Sequence, residues 1–170
     1  KKDDELRNIY WNLIVTYAHL GLVKSNEIKR LFLFAFSDDS FYIHHDVKYI
    51  NQIQAIKALY KIVSNKFSDF HMLLTSTNYF NSIMLFAQSK SEIIRMYGLK
   101  FLLLIKDYLD TKIIVDIPPI PVNQMFSTYI NLLSLEDVSI YSFNELLKLV
   151  FKDDIDNKLI IQLLPFFAIY

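Results

Sequence analysis

Three stretches of this chain lie over one another: Ala55-Ile56-Lys57-Ala58-Leu59-Tyr60-Lys61-Ile62, Gly98-Leu99-Lys100-Phe101-Leu102-Leu103-Leu104-Ile105, and Ser142-Phe143-Asn144-Glu145-Leu146-Leu147-Lys148-Leu149. Each opens on a small residue, continues with a large apolar one, and then returns apolar side chains at helix spacing. Ala55 and Gly98 stand 43 residues apart, and Gly98 and Ser142 stand 44 apart. A small residue at the head of a block lets a neighbouring helix approach closely. Between the blocks lie shorter helices and turns, so one structural unit recurs at a near-constant interval.

Helical periodicity extends outward from these blocks. Leu6, Ile9, Leu13, Ile14, Tyr17 and Leu20 fall on one face of a first helix, which is expected to be its buried face. Asp3 and Asp4 suit its start and Gly21 its end. Ser25 opens a shorter helix carrying Ile28, Leu31, Phe32, Ala35 and Phe36, and residues 41–45 read as extended. Val47 to Asn65 reads as a long helix with Ile50, Ile53, Ile56, Leu59, Ile62 and Val63 inward. Two short helices, 68–74 and 77–88, come next. Ser89 and Glu92 have capping-box spacing and open a helix to about Asp110, with Ile93, Met96, Leu99, Leu102 and Leu103 inward. Pro118, Pro119 and Pro121 forbid helix between 113 and 121. Residues 123–133 read as helix, Ser134 with Asp137 caps another through Phe151, and Asp153 and Asp154 cap a last one that Pro165 ends.

The small-then-aliphatic block at this interval resembles the third helix of an armadillo repeat and, less closely, the second helix of a HEAT repeat, whose units span roughly 40–47 residues. The resemblance covers residues 47–170, with residues 1–46 as N-terminal helices ahead of the repeats. It implies an all-α, right-handed helical-repeat solenoid, read here as one segment of a longer array. Such repeats bury their apolar faces only against stacked neighbours. The apolar end Leu163-Leu164-Pro165-Phe166-Phe167-Ala168-Ile169-Tyr170 and the absence of an initiator methionine fit a piece of a larger protein. The competing architecture is a compact, non-repeating helical bundle.

Composition narrows the function. Eighteen basic residues balance 18 acidic ones, so the basic surplus that drives phosphate binding is missing and direct nucleic-acid contact is not expected. Without cysteine there is no disulfide, thiolate nucleophile or Cys-ligated zinc. With Gly21 and Gly98 as the only glycines, no glycine-rich loop can cradle a phosphate. The most apolar run, Leu159 to Tyr170, is too short for a membrane span and is interrupted by Gln162 and Pro165. The N-terminus does not read as a signal peptide.

Residues with chemical potential are few. His44-His45-Asp46 is the one cluster of catalytic or metal-binding character, but adjacent histidines diverge, and Asp46 reads as an N-cap to the helix at Val47. Asp38 with Asp39, and Asp153 with Asp154, read as capping pairs. His19 and His71 are single histidines on helices, and Tyr10, Trp11 and Tyr17 read as core. An enzyme, a cofactor, a metal and a small-molecule substrate are therefore not expected. Lys57, Lys61, Lys100, Lys106 and Lys148 are scattered, yet Lys61, Leu104 and Lys148 occupy one matching slot of the three blocks. In peptide-binding armadillo proteins that slot carries an asparagine. An apolar residue between two lysines implies instead a partner helix or an acidic, partly apolar segment.

The expected function is a scaffold or protein–protein interaction module inside a larger multi-subunit complex, with Lys61, Leu104 and Lys148 as candidate partner-binding residues. Family likeness places such folds inside the cell, the nucleus ahead of the cytoplasm. The alternative is a compact helical adaptor that grips one amphipathic helix in the Bcl-2-like manner.

Overall fold

The computed structural model of the chain describes residues 2–36, 47–111, 120–133 and 140–150, with residues 158, 161, 162 and 164 beyond them. The helices are α1 (Lys2–His19), α2 (Ser25–Ala35), α3 (Val47–Asn65), α4 (Phe67–Leu74), α5 (Thr77–Ala87), α6 (Glu92–Thr111), α7 (Val122–Leu133) and α8 (Ile140–Val150), and the described residues contain no strand. The chain is thus all-α. The expectations for residues 38–46, 113–119, Ser134 with Asp137, and Asp153 with Asp154 lie outside the described residues. Backbone packing divides the chain into two compact units, Lys1–Ser82 and Ile83–Tyr170, with the division inside α5.

In the first unit α3 is the centre, and α1, α2 and α4 all pack on it. Its buried side comprises Ile53, Ile56, Leu59, Ile62 and Val63 as the periodicity predicts, together with Ala55, Ala58 and Gln52. Ile50, expected inward, is exposed, because at helix spacing it falls outside the arc that carries Gln52, Ile53 and Ile56. Truncating a fully buried leucine such as Leu59 to alanine costs about 2–5 kcal/mol. Phe32, Phe36 and Tyr79 form an aromatic cluster with ring centroids 5.5–5.9 Å apart. Gln52 Nε2 donates to the Ala35 carbonyl at 3.1 Å, satisfying one of the acceptors that the end of α2 leaves free.

Gly21 ends α1 as expected. At φ 74° it takes the left-handed conformation, its N–H bonds the Ala18 carbonyl, and the Leu22 N–H bonds the Tyr17 carbonyl. That pair of bonds is a Schellman stop, for which glycine pays no Cβ penalty. At the start of α2, the Glu27 carboxylate accepts from the Lys24 N–H at 2.9 Å, so the capping residue stands one position before Ser25.

In the second unit α6 packs on α8, and α8 on α7. The buried face of α6 is Ile94, Arg95, Gly98, Leu99, Phe101, Leu102 and Ile105. Leu99 and Leu102 were expected there. Ile93 is exposed, and Met96 and Leu103 are half-buried, because the face is turned toward the side that carries Gly98. A Cβ on Gly98 would sit 2.4 Å from the Ala87 nitrogen and 2.7 Å from the Phe86 carbonyl carbon. The glycine lets α6 lie directly on the end of α5. The predicted capping box at Ser89 does not form as drawn: α6 begins at Glu92, and the Ser89 hydroxyl accepts from the Ser91 N–H at 3.1 Å. The turn is shaped from below by Arg95, whose Nη1 donates to the Ser89 and Lys90 carbonyls at 2.8 and 3.2 Å.

Candidate interaction surface

The main departure from the sequence reading is on α1. Leu6, Ile9, Tyr10, Leu13, Tyr17 and Leu20, all expected to be buried, are each between 47% and 65% exposed. The helix buries another arc instead, with Val15 and Ala18 covered and Trp11 and Ile14 half-covered. Apolar residues run around most of this helix, so periodicity offered two faces. The small side chain of Ala18 and the short one of Val15 favour close approach to α3. A polar latch holds the same side: His19 Nε2 lies 3.2 Å from the Lys61 carbonyl oxygen and 3.1 Å from Asn65 Nδ2. The ring tautomer decides whether it donates to the first or accepts from the second.

The exposed stripe continues toward α2. Trp11 stacks on Phe34 with centroids 6.5 Å apart and planes 18° apart, and Tyr10 meets Trp11 edge-on at 5.2 Å. Two clefts, about 550 and 510 Å³ in volume, share Tyr10, Trp11 and Phe34 in their walls. Leu6 and Arg7 extend the first, and Tyr17, Leu22 and Arg30 extend the second. Trp11 Nε1 is buried and has no hydrogen-bond partner among the described residues. Tyr10, Trp11 and Tyr17, read from sequence as core, therefore line or floor an open surface. The signal that marks this stripe is its seven-residue recurrence: Leu6, Leu13 and Leu20, with Tyr10 and Tyr17 four residues after the first two.

The second unit holds a buried cation that the sequence did not reveal. Arg95 is fully buried, with its guanidinium 5.6 Å from the centre of the Tyr129 ring. Tyr129 in turn stacks on Phe143 at 5.7 Å. Burial pushes the Tyr129 hydroxyl up to about 12, against the opposing pull of Ser142 and Arg95. The cluster ties the α5–α6 turn to α7 and α8.

The three slot residues fall in different places. Lys61 is exposed on α3, in the first unit, where its carbonyl accepts from Ser64 Oγ at 3.2 Å. Leu104 is half-buried on α6, and Lys148 is exposed on α8, where Glu145 pairs with it at 2.8 Å. That neighbour neutralises the charge locally. Among the described residues no three His, Asp or Glu side chains gather as a metal site, and no helix is long and apolar enough to cross a membrane. Comparison with protein-family models, curated proteins and solved structures gives no match for this chain.

Proposed function

We propose that this chain is a non-enzymatic, armadillo/HEAT-like helical scaffold that binds other proteins within a larger, nuclear assembly. The observation that carries the binding role is the apolar stripe on α1, six large side chains left in water beside an aromatic-walled cleft. A patch of that size marks an interaction surface, since monomers keep such contiguous area small. Leucines and tyrosines standing out from a rigid helix are suited to anchor a partner, with Arg30 and Glu27 at the rim.

The repeat reading draws support from where its small residues lie. Ala55, Gly98 and Ser142 are all buried. Gly98 abuts the end of α5, and Ser142 bears on Tyr129 of α7, so each faces the helix that precedes its own. A solenoid unit packs in this manner. The clefts between α1 and α2 favour a second reading, the adaptor that receives one amphipathic helix. Solution scattering separates the two: an elongated profile supports the solenoid, and a globular one supports the bundle.

The binding role is tested by placing a photo-reactive benzoylphenylalanine at position 13 and irradiating cells that express the chain. The reading expects a discrete crosslinked protein that is lost when the probe is moved to Lys29. Equal, diffuse labelling from both positions would reject α1 as a binding face.

A further inference from the structure

We draw no further inference here: the strongest candidate, the exposed apolar stripe of α1 with the aromatic-walled clefts between it and α2, belongs to the interaction surface already described, and nothing in the structure shows what covers it.

Discussion

Replacing Gly98 with alanine tests the packing of the second unit through a single methyl group. On helix propensity alone, Gly98→Ala in the middle of α6 should stabilise the chain by about 1 kcal/mol. The structure predicts the opposite. The added Cβ would meet the Ala87 nitrogen at 2.4 Å, the Phe86 carbonyl carbon at 2.7 Å and the Ala87 Cα at 2.8 Å. All three are backbone atoms of α5, so no side chain can rotate away, and α5 and α6 must separate by about an ångström. Overpacking of this kind costs about 1–3 kcal/mol, more where backbone has to move, and it acts on a region that also buries Phe86, Leu99 and Phe101. After the propensity gain is offset, the net loss is roughly 1–2 kcal/mol, or a fall in Tm of about 3–8 °C. Thermal unfolding followed by circular dichroism measures it. Gly21→Ala serves as a control: its Cβ would touch nothing within 4 Å, so its cost is the left-handed backbone strain of about 1–2 kcal/mol at the end of α1. Hydrogen exchange should then show α5 and α6 loosened by the first substitution and only the α1 terminus by the second. A Gly98→Ala chain as stable as wild type, or more so, would refute the close approach of α6 to α5.

Arg95→Ala should cost about 3 kcal/mol, since it leaves the Ser89 and Lys90 carbonyls without their donor and opens a void beside Tyr129. Urea unfolding reads this loss directly, and a change within experimental error would show that the buried guanidinium holds nothing together. Tyr129 gives a pH dependence of definite sign. In the unfolded chain its hydroxyl ionises near 10, whereas in the fold burial holds it at about 12. Its contribution to stability is therefore complete below pH 10 and is lost as the pH rises through 12. The stability of wild type relative to Tyr129→Phe should fall across that window, and the absorbance of ionised tyrosine should lose a late-titrating component in that variant. A flat difference between the two chains from pH 10 to 12 would contradict the burial of this hydroxyl.

Much of the helical framework was legible because the local signals were unambiguous. α3 runs over Val47–Asn65, as its periodicity predicts, and α1 stops at Gly21 because no other residue offers a left-handed backbone there so cheaply. Which face a helix buries was less legible. α3 is wrapped by α1, α2 and α4, so most of its apolar residues are in the core whichever way it is turned. On α1 apolar residues cover most of the circumference, so the large leucines and tyrosines drew attention to one arc while Val15, Ala18 and the His19 latch fixed the other against α3. Arg95 was invisible for a related reason. A charged residue inside an apolar run reads as a surface position, and only the turn carbonyls at 89 and 90, close in space but ahead of the helix, explain its burial. The start of α6 shifted from Ser89 to Glu92 because that guanidinium and the Ser89 hydroxyl together use the preceding residues as a turn. The seven-residue recurrence on α1 was in the sequence throughout, but it acquires meaning only once its leucines are known to lie outside.

The exposure of that stripe is open to a direct measurement, because the chain contains no cysteine to confuse it. Single variants Leu13→Cys and Ala18→Cys can be reacted with a maleimide in the dilute chain. Fast labelling is predicted at position 13, where the side chain is exposed, and slow labelling at position 18, where it is buried. Fast labelling at 18 together with protection at 13 in the dilute chain would mean that α1 is turned the other way, and the interaction surface would vanish with it.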